Sequence, residues 1–427
     1  MSEEDIALPA LPDGAGRSLV RDVAATALTR VAGIVSGVVT LTFTTRLLGP
    51  QGRGQFAVAM ATLGLVLQFC NLGLHSSATY HLSRRSAERV EVISALALYS
   101  IVGVGAVALL ASLLIWRMPA LMPDVPFQIV WLALLAAPPA MFILLAGSAW
   151  LGLGAPAWYN GLDLGTKAIG LVSVAVLLIG PLSGFFLVYA ACHGALALYA
   201  YSRLVGWTWT VPSSGVTRDL VTFGVRAFIV NLSMFLILRQ DLFLVNAWLG
   251  TADAGRYSVA VQVSELLLLA AASITAMLFP RLASMPPSDR WILARSAGWW
   301  TAGGLAIGAG LLGLVGRPLF SAAFGAEYVP ALVAFWLLLP GLWCLGINSV
   351  LMQYLAACGM PWFVPLTTIA GVVVNGLLNV WLIPWYGING AATASSLTYA
   401  ALLATSSGYL WTQPGSVTQS VVTRNRS

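Results

Sequence analysis

The chain is short of charge, of cysteine and, above all, of lysine. Only 8% of its 427 residues are Asp, Glu, Lys or Arg, far below the roughly one quarter of a soluble domain, which excludes a water-soluble protein of this size. Lys167 is the single lysine, and the arginines are dispersed over short loops, so the net charge of +6 forms no patch for nucleic acid. Cys70, Cys192, Cys344 and Cys358 have no paired or metal-type spacing and read as small packing residues. With three histidines and no clustered acids, no metal or other cofactor is expected. A Gly-Lys-Ser/Thr phosphate loop is missing, so the chain does not hydrolyse nucleotide by itself. No loop is long enough to house a soluble active site, and enzyme activity, a membrane-embedded transferase included, is not expected.

What remains is apolar: 59% of residues are hydrophobic. A membrane-spanning helix needs about 20 apolar residues, and runs of that length are found at 24–47, 54–77, 91–116, 127–151, 157–180, 182–204, 220–249, 255–279, 291–315, 329–356, 362–385 and 388–411. The expectation is an all-α polytopic membrane protein of about twelve spans. Residues 1–18, with Glu3, Glu4, Asp5 and Asp13 and no apolar core, read as a flexible tail and not a signal peptide. One set of loops and tails holds Arg17, Arg21, Arg84, Arg85, Arg89, Arg203, Arg218, Arg281, Arg290, Arg295, Arg424 and Arg426, whereas the other side holds Arg46, Arg53, Arg117, Arg256 and Arg317. Basic loops stay in the cytoplasm, so both termini are expected there.

A duplication organises the chain. Leu48-Gly49-Pro50-Gln51-Gly52-Arg53-Gly54-Gln55-Phe56-Ala57-Val58-Ala59 returns without a gap as Leu249-Gly250-Thr251-Ala252-Asp253-Ala254-Gly255-Arg256-Tyr257-Ser258-Val259-Ala260. A second echo links Leu153-Gly154-Ala155-Pro156-Ala157-Trp158 with Cys358-Gly359-Met360-Pro361-Trp362-Phe363. An even number of spans separates the copies, so the halves are parallel repeats about an axis along the membrane normal. The expected division is a tail at 1–18, a first lobe at 19–205, a linker at 206–218, a second lobe at 219–411 and a tail at 412–427. The breaks around 117–126, 205–218 and 281–290 read as plain linkers. Pro138-Pro139 in span four and Pro340-Gly341 in span ten sit in matching places, as static kinks or as hinges for alternating access.

Ionisable groups inside spans are expensive and therefore functional suspects. They are Arg30, Asp163, Lys167, Arg226, Arg239, Asp241 and Glu265, with His193 more simply a packing histidine. Lys167 and Arg239 fall near the midplane, one in each half, and together would suit an anion. Against this, Asp163 and Lys167 at i, i+4 can neutralise each other, and Arg239 can pair with Glu265 on the neighbouring antiparallel span. Arg30 and Arg226 occupy equivalent places in spans one and seven, either clamping phosphate at the cytoplasmic mouth or snorkelling to headgroups. Asn231, Gln262, Asn348, Gln353, Asn375 and Asn379 either meet sugar hydroxyls or join helices to one another.

Four stretches then resemble the oligosaccharide/polysaccharide flippases (Wzx-like) of the multidrug/oligosaccharidyl-lipid/polysaccharide (MOP) exporter superfamily. They are Thr45 to Phe56 leading to Asn71-Leu72-Gly73-Leu74; Arg239-Gln240-Asp241 through Gly255-Arg256-Tyr257 to Phe279-Pro280-Arg281-Leu282; Phe324-Gly325-Ala326-Glu327-Tyr328-Val329-Pro330-Ala331; and Asn375-Gly376-Leu377-Leu378-Asn379 with Leu382 to Ala392. The resemblance implies a V-shaped transporter of two parallel six-helix lobes, like the multidrug (MATE) branch, in a bacterial plasma membrane. It would carry an undecaprenyl-diphosphate-linked sugar unit to the outer leaflet through a cationic central cavity, for surface polysaccharide biosynthesis, with membrane lipid around it and a polysaccharide polymerase or ligase beside it. On this reading Arg239, Lys167, Arg30 and Arg226 hold the diphosphate, and Glu265, Asp241 or Asp163 couple movement to protons or sodium. The rival is an ion-coupled exporter of amphipathic cations, in which Glu265 and Asp241 would be the binding groups.

Overall fold

The computed structural model describes residues 15–84, 89–213 and 225–412, with side chains from residue 28 onward except at 84, 225–227 and 287. Every regular element among the described residues is helical. The first half comprises α1 (Ala15–Asn71), α2 (Leu74–Arg84), α3 (Arg89–Leu98), α4 (Gly105–Arg117), α5 (Phe127–Leu135), α6 (Ala137–Gly152), α7 (Pro156–Val176) and α8 (Leu182–Val205). The second comprises α9 (Val225–Leu249), α10 (Thr251–Ser284), α11 (Pro287–Leu319), α12 (Leu332–Ala357), α13 (Phe363–Tyr386) and α14 (Ile388–Thr412).

Among the described residues, nine stretches of helix are long and apolar enough to cross a membrane. One of them, Leu28–Asn71, runs to 44 residues, which laid straight would be about 66 Å, twice the hydrocarbon core of a bilayer. It is in fact two helices parted at Gly49, whose φ of 62° and ψ of −179° are not helical. Two further helices, α7 with 21 residues and α14 with 25, also have membrane length. Twelve crossings result, as the apolar runs predict, and an even number returns Ala15 and Thr412 to one face, the terminal face.

The repeated motif has one backbone in both copies. Gly250, between α9 and α10, has φ 83° and ψ 175°, almost the angles of Gly49, and only glycine takes such values without strain. The second echo also holds: Gly154 and Gly359 have φ of 70° and 92°, and Ala155 N–H donates to Trp150 O (2.9 Å) as Met360 N–H donates to Leu355 O (3.0 Å).

The two copies pack on each other at the face opposite the termini. A Cβ on Gly54 would lie 1.8 Å from the Thr251 carbonyl oxygen, and one on Gly255 would lie 1.9 Å from that of Pro50. The contact is reciprocal, as a two-fold relation between parallel repeats requires. The break around 117–126, read from sequence as a plain linker, and the stretch after α11 reinforce it. Residues 118–125 reach across so that Asn246 Nδ2 donates to the Pro123 carbonyl at 3.2 Å, and the Asp124 carboxylate lies 3.4 Å from the Cβ position of Gly250. Residues 320–331, two short irregular helical turns, do the same in return. The Tyr328 hydroxyl donates to the Thr45 carbonyl at 3.2 Å, Arg46 donates to the carbonyls of Ala322 and Ala323, and the Glu327 carboxylate lies 3.8 Å from the Cβ position of Gly49. Gln55 and Arg256, equivalent in the repeat, hold the Asp124 and Glu327 carbonyls at 3.0 and 3.1 Å. Each acid thus rests at the start of a helix of the opposite half, where the helix dipole favours negative charge.

Three other expectations change. The break at 281–290 shrinks to Met285 and Pro286, because α10 and α11 extend beyond the apolar runs. Arg53, assigned to a loop, is fully buried. The paired prolines differ: Pro138 and Pro139 begin α6 just after the chain breaks at Ala136, whereas Pro340 lies within the unbroken α12.

Candidate functional site

Between the halves, on the terminal side of the Gly54/Gly255 seam, lies a cavity of about 510 Å³. Its first wall is α1 and α7, presenting Thr29, Arg30, Asp163 and Lys167; its second is α10, presenting Gln262, Glu265 and Ser273. Gly33 allows the approach of α1 to α7: a Cβ there would stand 3.2 Å from Lys167 Cε, and Ser36 Oγ donates to the Lys167 carbonyl at 3.3 Å.

Lys167 Nζ and Asp163 Oδ1 are 3.2 Å apart, one turn apart on α7, with side chains 40% and 35% exposed. Arg239 and Glu265 make the stronger pair, a fork between α9 and α10 with Nη1 to Oε1 at 2.6 Å and Nη2 to Oε2 at 2.9 Å. Two parallel charge-assisted bonds fix both side chains. Glu265 faces the large cavity, while Arg239 faces a second pocket of about 200 Å³ with Phe56, Met60, Phe235, Asp241 and Ser258. Gln262 lines both, so this ion pair and Gln262 form the partition between them.

The proposed diphosphate residues are therefore not gathered in one place. Arg30 and Lys167 line the cavity, Arg239 stands behind Glu265, and the Arg226 side chain lies outside the described residues. Two cations, Arg30 and Lys167, and two carboxylates, Asp163 and Glu265, line the cavity, and Glu265 is itself paired with Arg239.

Asp241 lies deeper in the second half, 2% exposed. Its Oδ2 accepts from Tyr257 Oη (2.5 Å) and Ser395 Oγ (3.0 Å), and its Oδ1 from Leu242 N–H (2.8 Å). Beside it the amides join helices: Gln240 Nε2 donates to Asn375 Oδ1 (2.7 Å), Asn379 Nδ2 to the same oxygen (2.9 Å) and Asn375 Nδ2 to Thr398 Oγ1 (3.2 Å), tying α9, α13 and α14. His193 is buried with Nδ1 2.8 Å from the Tyr189 carbonyl, a packing role.

Sequence reasoning missed Arg53. Its Nη1 donates to Thr44 Oγ1 at 2.7 Å and its Cζ stands 5.0 Å from the Phe56 ring centroid, yet Nε and Nη2 have no partner. Set among glycines and a glutamine, it read as a turn residue.

Two helical halves joined at one end, with charged groups between them, form a fold that solved transporter structures share. Over 93% of this chain and 88% of the other, the structure is similar to "Lipid II flippase MurJ, inward closed conformation", with a TM-score of 0.73 at 13% identity. It is also similar to an inward-facing multidrug resistance MATE family transporter, with a TM-score of 0.71 at 14% identity over 89% of this chain and 93% of that one. Residues 19–285 match the model of a family described as polysaccharide biosynthesis protein, and the chain belongs to that family. The "Probable flippase AglR" of Haloferax volcanii is 28% identical over 207 residues, 45% of this chain and 42% of that protein. The chain spans less than half the length of the curated relatives it matches.

Proposed function

We propose that the chain is a flippase for a polyprenyl-diphosphate-linked oligosaccharide, moving it from the cytoplasmic to the outer leaflet of the plasma membrane for surface polysaccharide synthesis. The observation that carries this reading is the cavity itself: between the halves, closed beyond by the Gly54/Gly255 seam, with Arg30 in its lining and with Lys167 and Arg239 each held by one carboxylate that an anion can displace. Family membership and the likeness to AglR support it. On this reading the terminal face is cytoplasmic, the sugar enters the cavity, and the prenyl tail stays in lipid. The diphosphate draws on Arg30, Lys167 and Arg226 and competes with Glu265 for Arg239. Freed, Glu265 takes up a proton or another cation, and with Asp163 and Asp241 it supplies the coupling. The lobes 19–205 and 219–411 then rock, with Pro138, Pro139 and Pro340 as hinge positions. A polymerase or ligase would take the product.

Deleting the gene and extracting polyprenyl lipids tests this. A sugar-loaded diphosphate carrier should accumulate, and an impermeant probe should find it on the cytoplasmic leaflet. Intact surface glycan with no accumulated carrier would sink the proposal. It would favour export of amphipathic cations, which the two lining carboxylates and the MATE-like fold also suit; neutralising Glu265 alone would then abolish transport.

A further inference from the structure

Arg53 is among the largest side chains buried without any exposure. The described ion pairs are Lys167 with Asp163, Arg239 with Glu265 and Arg256 with Asp253, so no carboxylate neutralises it. Among the described residues its only hydrogen bond is to Thr44 Oγ1, which leaves Nε and Nη2 unpartnered. A buried cation in this condition is costly, and the fold does not demand one, because the equivalent residue of the second half is Ala254.

Its position suggests what it serves. From the terminal face inward come Arg30 and Lys167 in the large cavity, then Arg239 at the partition, then the second pocket, one wall of which is Phe56. Arg53 lies against that ring, next in sequence to Gly54, whose contact with Thr251 closes the far end. The cations form a ladder across the membrane, and only the last rung is sealed.

We propose that Arg53 is an outer diphosphate-binding residue, sealed while the cavity faces the terminal side and uncovered when the Gly54/Gly255 seam parts. It would receive the phosphates after Arg239 and hold them until release. This rests on the flippase reading above; the shared chemistry is that of a diphosphate, lipid-linked or free.

Purified wild-type and Gly255→Ala proteins would be treated with phenylglyoxal, with and without inorganic pyrophosphate, and modification of Arg53 read by mass spectrometry. The added methyl should wedge the seam open. Arg53 should stay unmodified in the wild type and react in the variant, with pyrophosphate slowing that reaction roughly fivefold or more. Reaction without protection, or no reaction in either protein, overturns the proposal. Should Gly255→Ala fail to fold, Arg53→Met in cells replaces it. Loaded carrier should then build up at normal protein abundance, with partial rescue by Arg53→Lys, whereas normal export by Arg53→Met overturns the assignment. Arg239→Ala separates the two levels: if it is inactive while Arg53→Met exports normally, only the outer residue falls; if both export normally, the diphosphate reading falls with it.

Discussion

The two copies of the twelve-residue motif share a backbone and differ in what they bury. In the first, Arg53 stacks on Phe56 with two nitrogens unpartnered; in the second, Ala254 replaces the arginine and Tyr257 donates to the buried carboxylate of Asp241. One half holds a cation short of partners, and the other holds an acid whose partners are in place. Glycine positions are fixed by the seam, where neither copy can change without moving the other. The charges lie behind it, where each half can diverge. Duplication has kept the joint and specialised the groups it conceals.

The largest effect that would break this comparison is at the joint. Gly255→Ala places a methyl on the Pro50 carbonyl and Gly54→Ala one on that of Thr251; both should abolish the closed far face and admit an impermeant thiol reagent to cysteines placed along the seam. Unequal outcomes would refute the reciprocity. Next comes Arg239→Ala, which frees Glu265 and removes the proposed phosphate-binding group. Export should fall by roughly tenfold or more, with protein retained in the membrane; near-normal export would remove Arg239 from the site. Asp241→Ala strands the hydroxyls of Tyr257 and Ser395 and should cost about 1–3 kcal/mol, read as a lower melting temperature. Arg53→Met should leave stability unchanged or raised, so an equal loss from the two would erase the contrast between halves. Lys167→Met is the smallest: its half-exposed pair with Asp163 contributes at most about 1 kcal/mol, and any measured change should lie in export alone.

The sequence made some of this legible and not the rest, for physical reasons. Apolar runs report span number because a bilayer imposes a length, and both membrane pairs follow from local rules, Asp163 with Lys167 one helical turn apart and Arg239 with Glu265 on consecutive antiparallel spans. The motif glycines betrayed the repeat but not the seam, since close approach of two backbones needs both in place. The clasps at 118–125 and 320–331 were invisible because their acceptors are the carbonyls of Pro123, Ala322 and Ala323, a group every residue owns. Arg53 read as a turn residue because the break at Gly49 takes one residue where a loop of several was expected.

That tight break bears on how the protein is made. Gly49 parts two helices with no loop between them, so the first two spans are best inserted as one unit, each limb leaving the insertion machinery beside the other. Arg53 and Thr44 are nine residues apart, one on each limb, and can join as soon as the hairpin closes. The guanidinium is then shielded by its own hairpin before it meets lipid, and the rest of the chain assembles around a charge already under cover.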